Sequence, residues 1–500
     1  MIKRIGGIVA VVLGGLAVVL VANTFRQDSR QVAVEPAALL DVDAQASAGR
    51  LGRMVAFATI SHLSRSDFDP GPFQDLQAYV AQAYPLMQAT LTREVVNGYS
   101  LLYTWHGSDP GLKPMILMAH MDVVPIEPGT ESKWTYPAFS GRVADGYVWG
   151  RGAMDDKASL TGIFEAVEGL LAQGFEPRRT VYLAFGHDEE VGGDQGAARI
   201  AKLLAERGVH ADFTLDEGMT IRDGVLLPGF DKPVAVISTA EKGYVTLRLT
   251  ARASGGHSAR PPKVTAVGAL SRAIATLEAH RFKPSLKGPT GAMFDYLAPE
   301  MGFGQRFLFA NRWLFGGYLA RELTKNRATN PMVRTTTAPT VISAGIKDNV
   351  LPSVATAMVN FRVRPGQTRD TVIRHARRVI ANPAVTVAFY DETITDPSPV
   401  ATVDGIGFRA IARAVRQVYP QVLVSPGLTL GATDSRHYLP ISDNVYRFVP
   451  IWFRPEDMPR VHGTNERMGI DNFAHIIRFY GQLLRHAAGA QAVAATGETP

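Results

Sequence analysis

The sequence predicts an α/β protein: a mostly parallel sheet domain, interrupted by an inserted α+β domain and preceded by one apolar N-terminal helix. Three observations lead there. Apolar strand-like runs alternate with helical patterns in both outer parts of the chain, and strand–helix–strand order favours a parallel sheet. That texture stops near Glu241 and returns near residue 400, which marks an insertion. An uncharged apolar run, Ile5–Ala22, follows Lys3 and Arg4 at the start of the chain.

The elements follow in order. Ile5–Ala22 is near the lower limit for a membrane span, roughly 17–20 residues. The basic residues before it favour a cytoplasmic N-terminus. Residues 1–25 are therefore expected to be a signal anchor, with a cleaved signal peptide as the alternative. Leu20-Val21-Ala22 fits a cleavage site poorly, and the lipoprotein route lacks its cysteine. The rest of the chain is then expected outside the cytoplasm, tethered to the membrane (periplasmic, extracellular or lumenal), or secreted if the helix is removed. Residues 26–48 read as a polar linker leading into a helix.

Residues 49–236 form the first part of the sheet domain. "PMILMAHMDVV", "TVYLAFGHDEE" and "ADFTLDEG" are apolar runs that end in acidic or histidine residues. Between the first two, Ile163, Ala166, Val167, Leu170 and Leu171 fall on one face of a helix over 157–173, which Gly174 stops. Polar groups at the carboxyl ends of parallel strands are where such sheets bind ligands. Residues 237–395 hold the insert, with strand patterns at "GYVTLRLTARA" and "ATAMVNFRVRPG" and helices at 265–280 and 368–382. Its stretch 285–335 is rich in aromatic residues, Pro and Gly, and reads as a hydrophobic cover over a pocket or a subunit contact. Residues 396–487 complete the sheet domain, closing with a helix that Asp471 is expected to cap. The tail 488–500 is expected to be disordered.

Composition narrows the chemistry. A chain of 500 residues with 46% hydrophobic and 20% charged residues is globular and long enough for two domains. The net charge of +6 carries no dense Lys/Arg tract with interleaved aromatics, so nucleic acid is not an expected partner. With no cysteine, disulfides, thiolate zinc sites and thiol nucleophiles are excluded, and a metal must sit on His, Asp and Glu.

Five polar clusters follow strand patterns: "HMDVVP" at 120, "GRGAMDDKAS" at 150, "GHDEEVGG" at 186, "LDEG" at 215 and "VHGTNE" at 461. Each alone has an ordinary explanation: a rim histidine, a helix cap, a solvated acidic pair or a turn. Together they differ, because several carboxylates at one sheet edge resist ionisation unless a cation offsets them. Two histidines and at least three carboxylates match the ligands of divalent metals, with enough for two ions sharing one carboxylate. The adjacent acids of "DEE" can supply one ligand and one general base.

In order and spacing these motifs resemble the aminoacylase / glutamate carboxypeptidase / carboxypeptidase S family of di-zinc metallopeptidases over about residues 50–485. "RGAMDDKAS" and "GHDEEVGGDQGA" are the most specific, and "RTTTAPTVISAGIKDNVLP" with "NFRVRPG" resembles the carboxypeptidase S-like branch. The resemblance implies a zinc-peptidase-type catalytic domain and an inserted lid and dimerisation domain, hence a homodimer. It implies two divalent ions, zinc first, with cobalt or manganese as alternatives. His120, Asp155 and Asp216 would bind one ion and Glu190, His462 and again Asp155 the other, with a cis peptide at Asp155–Asp156. Glu189 would be the general base, and Asp122 would orient a ligand imidazole. In the insert, His257 would stabilise the oxyanion, while Asn349 and Arg362 would grip the substrate carboxylate, a geometry that suits an Arg fork. Gly431, in the loop Gly427–Leu439, would line the substrate pocket. His187, Asp156 and Glu217 are expected as neighbours only.

The expected activity is hydrolysis of a peptide or amide bond beside a free C-terminal carboxylate. The alternative is an N-acyl-amino-acid hydrolase or synthase, toward which the apolar stretch 285–335 leans. A non-catalytic membrane-tethered binding protein on the same fold would lack the base or a ligand, and a phosphodiesterase would need a basic phosphate cradle.

Overall fold

The computed structural model describes residues 2–223, 229–390 and 394–489. The expected disordered tail lies outside these from residue 490. The helices are α1 (Ile2–Phe25), α2 (Ala44–Ala56), α3 (Gly71–Ala83), α4 (Pro85–Thr90), α5 (Lys157–Ala172), α6 (Ala197–Glu206), α7 (Ala266–Ala279), α8 (Pro289–Leu297), α9 (Phe303–Ala310), α10 (Arg312–Leu323), α11 (Asn330–Val333), α12 (Arg369–Ile380), α13 (Ile406–Val418) and α14 (Ile470–Ala488). The strands are β1 (Thr92–Val96), β2 (Ser100–Trp105), β3 (Met115–His120), β4 (Arg142–Ala144), β5 (Tyr147–Trp149), β6 (Val181–Gly186), β7 (Ala211–Arg222), β8 (Val234–Glu241), β9 (Gly243–Arg252), β10 (Gly256–His257), β11 (Thr336–Ala344), β12 (Val350–Leu351), β13 (Val354–Val363), β14 (Val385–Phe389), β15 (Leu423–Thr429), β16 (Ser442–Phe453) and β17 (Arg467–Gly469).

Two compact units divide the chain, one of residues 31–239, 401–427 and 433–500, the other of residues 1–30, 240–400 and 428–432. The first is built on an eight-stranded sheet in the order β1-β2-β6-β3-β7-β16-β8-β15. Its centre is parallel, since β6 and β7 flank β3 and β16 follows β7 in the same direction. Strand β3 is the apolar run "MILMAH", buried at all six positions, as a central parallel strand must be. Ile116 and Met118 share an apolar cluster with Ile200 and Leu204 of α6, while α5 packs on β3 and α14. The α5–α14 crossing is close at Gly162, where a Cβ would stand 2.8 Å from Ile476 Cγ2. Helix α5 ends at Ala172 with Gly174 at positive φ, as its periodicity predicts. Asp471 sits in the first turn of α14 rather than at its N-cap, which Gly469 occupies.

The second unit is an antiparallel sheet, β11-β13-β9-β14. Along β13 buried and half-buried residues alternate, because one face alone is covered. Val359 and Phe361 pack there with Leu247 of β9, Leu270 of α7 and Val372 of α12. A short ribbon pairs β10 with β12. Helices α8 to α11 fill the aromatic stretch 285–335, and α1 packs on α9 within this unit. The unit thus takes residues 240–400, against the expected insert 237–395, and also holds the N-terminal helix that the sequence reading set apart.

Candidate metal centre

Register brings the motifs together. His120 at the end of β3 pairs with Gly186 at the end of β6, so "GHDEE" begins beside the histidine. On the other side Leu117 pairs with Leu215, which sets Asp216 and Glu217 next along β7. Asp155 lies in the loop before α5, and its peptide bond to Asp156 is cis. His462 comes from the loop before β17, at a backbone φ of 59°.

Asp155 stands between the two histidines. Its Oδ1 is 3.1 Å from His120 Nε2, and its Oδ2 is 3.0 Å from His462 Nε2. Glu190 Oε1 lies 3.3 Å from His462 Nε2, and Glu217 Oε1 lies 3.5 Å from His120 Nε2. Each oxygen of one carboxylate therefore faces a different imidazole, and each imidazole faces a second carboxylate. Donors about 2.0–2.2 Å from a tetrahedral zinc stand about 3.3–3.6 Å apart, which the Glu190 and Glu217 spacings match, while the two Asp155 spacings are slightly shorter and are hydrogen-bond distances.

Two further features fit the residues to divalent cations. Glu190 Oε1 is buried with no well-formed hydrogen bond. His120 Nδ1 faces the Asp122 carbonyl oxygen at 3.0 Å and Asp122 Oδ1 at 3.3 Å, acceptors that suit an Nδ1–H and leave Nε2 as the nitrogen turned to the other carboxylates. The electrostatics agree. Burial, then the charge of Asp155, pushes the Glu217 carboxyl up to about 8. Burial, then Glu217, holds Glu189 well above the usual carboxylate range. Burial works against charging His120, yet the carboxylates of Glu217, Asp122 and Asp155 outweigh it and raise the ring well above its ordinary value. A hydrogen bond to Asp155 and the nearby Glu190 carboxylate lift His462 to about 10. Divalent cations would relieve the same crowding of charge.

The turn that carries Glu189 and Glu190 is held from below. Asp122 Oδ1 accepts the Glu189 N–H at 3.0 Å and Oδ2 the Glu190 N–H at 3.1 Å. One carboxylate thus fixes both the His120 ring and the acidic pair. Gly193 closes that turn at a φ of 71°, where a Cβ would lie 1.8 Å from Asp434 Oδ1, so only glycine fits.

Asp216, an expected ligand, is hydrogen-bonded to other groups in this structure. Neighbours on a strand point to opposite faces, and β7 turns Glu217, not Asp216, toward His120. Asp216 Oδ2 accepts the Ser435 N–H at 2.8 Å, and its carboxylate takes a further hydrogen bond from Thr433. Glu217, expected as a neighbour only, stands with the His120 imidazole and the Asp156 carboxylate close enough together to share an ion. His187 Nδ1 lies 2.7 Å from Ser100 Oγ, and its ring lies beside Tyr99.

Sequence reasoning missed the buried pair Arg151 and Glu466, which lie inside two of the quoted motifs. Their charges were the available signal. Arg151 Nη1 donates to Glu466 Oε2 at 2.6 Å and Arg151 Nη2 to the His462 carbonyl at 2.9 Å. Glu466 Oε1 accepts the Met154 and Asp155 N–H groups at 2.8 and 3.2 Å.

The remaining expected residues belong to the second unit. The β10–β12 ribbon brings His257 opposite Val350, and the Ser258 N–H donates to the Asn349 carbonyl, so His257 and Asn349 are near neighbours. Arg362 lies along β13, its guanidinium 4.7 Å from the Tyr244 ring centre. Arg364 and Lys242 add charge near it, and burial followed by those two arginines drops Lys242 to about 7. Gly431 is exposed, and a Cβ there would meet open space, so no close approach demands glycine at this position.

The sequence pattern of peptidase family M20/M25/M40 matches residues 116–486. The chain belongs to this family. It is 41% identical to the Danio rerio N-fatty-acyl-amino acid synthase/hydrolase PM20D1.1 over 439 residues, covering 87% of this chain and 84% of the relative. It is 37% identical to a Dictyostelium discoideum protein named probable carboxypeptidase S-like 2 over 481 residues, covering 94% and 92%. Relatives of this kind support the carboxypeptidase S-like branch of the family. Among solved structures, the M20 metallo-carboxypeptidase Sso-CP2 of Sulfolobus solfataricus shares the fold with a TM-score of 0.62 at 17% identity, covering 88% of this chain and 98% of that one. Human carnosine dipeptidase 1 does so with a TM-score of 0.61 at 16% identity, covering 90% and 100%. M20 members are metal-dependent hydrolases of the carboxypeptidase or aminoacylase type, and this chain is an enzyme of that kind.

Proposed function

We propose that the protein hydrolyses a peptide or amide bond beside a free carboxylate, using two divalent ions. The observation that carries this reading is Asp155, with one oxygen toward His120 and the other toward His462. His120, Asp155 and Glu217 would hold one ion and His462, Asp155 and Glu190 the other, with zinc the first choice and cobalt or manganese accepted by the same donors. The ions, when bound, acidify the attacking water and polarise the scissile carbonyl. Glu189, held by Asp122 through its backbone, takes the proton of that water and returns it to the leaving amine. His257 donates to the developing oxyanion, and Asn349 with Arg362 receives the substrate carboxylate.

Two substrate classes suit this chemistry. A short peptide with a free C-terminus fits the carboxypeptidase S-like relatives. An N-acyl amino acid is supported equally, by the relative named for that activity and by the apolar helices of residues 289–323. We further propose that α1 is a signal anchor that leaves both units outside the cytoplasm. Arg4–Phe25 is long and apolar enough to cross a membrane. A homodimer through the second unit is supported by β11, an outer strand of its sheet that exposes Val341 and Ile342. Metal analysis combined with turnover of dipeptides against N-acyl amino acids tests the reading. Two ions per chain and hydrolysis of either class support it, and cleavage of acylated amino acids alone decides the class. A protein that binds no divalent ion and cleaves neither refutes it.

A further inference from the structure

Within the second unit, α1 does not stand free along its whole length. Ile8, Val11, Val12 and Val18 are exposed, but Leu20 is only 8% exposed and Thr24 is fully buried. The buried stripe meets the corner between α9 and α10. Asn311 at that corner is 0% exposed and donates through Nδ2 to the Leu20 carbonyl at 3.0 Å, while its Oδ1 accepts from Asn23 Nδ2 at 3.1 Å. Nearer the end of α1, Phe25 lies 6.0 Å from Phe303, ring centre to ring centre, and Arg306 donates to the Gln27 carbonyl. Helix α9 therefore runs back along α1. Its start is level with Phe25 and its end with Leu20. Five residues of helix rise about 7.5 Å, so the α9–α10 corner lies that far inside the outer end of the apolar run.

What the corner exposes matches that depth. On α10 the outward face holds Trp313 at 63% exposure, Leu314 and Tyr318 at 57%, while Leu319, Ala320 and Leu323 are buried. Residues 313, 314, 317, 318 and 321 recur at helical spacing, so this is one apolar face turned outward, continuing into exposed Arg321 and Lys325. Tryptophan and tyrosine on one face with basic residues beyond them is the composition of a helix lying in a membrane interface, where apolar faces sink about 5–10 Å. The hydrogen bonds of Asn311 to Leu20 and Asn23 use up polar groups that lipid could not satisfy.

We infer that α10 is a second membrane contact: with α1 in the bilayer, Trp313, Leu314 and Tyr318 insert into the interface of the outer leaflet. The sequence reading favoured a pocket cover or subunit contact for this stretch. The inference rests on the signal-anchor reading of α1 and is independent of the proposed hydrolysis.

The chain has no cysteine, so single-cysteine variants of the full-length protein can each carry one environment-sensitive fluorophore. The positions are Leu314→Cys and Tyr318→Cys on α10, Val12→Cys in α1, and Ile346→Cys, where the side chain is 95% exposed. The proteins are reconstituted into phosphatidylcholine–phosphatidylglycerol vesicles, with and without lipids bearing a nitroxide near the headgroup. The expected result is blue-shifted emission and at least twofold quenching at Leu314 and Tyr318, emission typical of water at Ile346, and a buried signal at Val12. A buried Val12 with water-like Leu314 and Tyr318 overturns the inference. So does blue-shifted emission at those two positions without nitroxide quenching, which means contact with a second copy. A water-like Val12 refutes the anchor itself and the inference with it. Hydrolysis of a soluble substrate by the same variants reports separately on the catalytic reading.

Discussion

Arg151 and Glu466, 315 residues apart in sequence, form a buried ion pair at 2.6 Å that ties the loop of Asp155 to the loop of His462. Arg151 reaches the His462 carbonyl, and Glu466 reaches the Asp155 N–H. The pair thus spaces the Asp155 carboxylate and the histidine that faces its Oδ2. Removing one charge strands the other where water cannot reach it, at a cost of about 3–5 kcal/mol. Loss of such an outer partner also weakens metal binding about 10- to 100-fold. Glu466→Gln is expected to lower the denaturant midpoint and the affinity of one ion, read by unfolding and chelator competition. Unchanged values for both would remove the pair from any positioning role.

Glu189→Gln should separate chemistry from binding. The side chain keeps its shape, and Asp122 still receives the backbone N–H groups of residues 189 and 190. A general base contributes about 10²–10⁴ in rate, so kcat should fall by that factor while two ions per chain remain. Near-normal turnover in the variant would sink the base assignment.

The choice between Asp216 and Glu217 is open to metal titration. Glu217→Gln removes the carboxylate oxygen 3.5 Å from His120 Nε2 and is expected to abolish or weaken one of two sites. Asp216→Asn changes a group already bonded to Ser435 and Thr433 and should leave the stoichiometry at two. The opposite pattern would restore Asp216 as the ligand.

Arg362→Ala tests recognition of the substrate carboxylate. A hydrogen bond to a charged group is worth about 1.5–3 kcal/mol, which corresponds to roughly a 10- to 100-fold rise in KM. The carboxamide analogue of the same substrate should lose little further. Equal losses for acid and amide would mean that Arg362 acts through its stacking on Tyr244 instead.

Why some of this was legible in sequence and some was not has physical causes. His120 and the "DEE" turn could be placed because "PMILMA" and "VYLAF" are buried runs that end on polar groups. The parallel order of the strands then makes those ends adjacent. Which of Asp216 and Glu217 faces His120 was not legible, because Phe213 to Asp216 is a continuously buried run, and such a run carries no alternation to reveal which side faces which. The Arg151–Glu466 pair joins distant loops and leaves no local pattern. Asp471 has the composition of a cap, but the helix starts two residues earlier than that cap implies, at Ile470 after Gly469. The stretch 285–335 is apolar in sequence on both faces of α10, so only the packing of Leu319, Ala320 and Leu323 shows that Trp313, Leu314 and Tyr318 turn outward.

Lys242 supplies a pH test away from the metal centre. It is buried, its Nζ donates to the Arg334 carbonyl at 2.8 Å, and its pKa falls from 10.5 to about 7 in the folded chain. Between those values the unfolded chain holds a proton that the folded chain has released. Stability rises with pH wherever the unfolded state binds more protons. The cost of burying this ammonium is therefore fully present below pH 7 and is relieved as pH rises toward 10. Lys242→Met, which carries no charge, should flatten that dependence: its gain in Tm over the wild type is largest at pH 6 and shrinks by pH 9, measured by thermal unfolding across the range. A difference in Tm that stays constant with pH would show that Lys242 is charged in the folded state throughout.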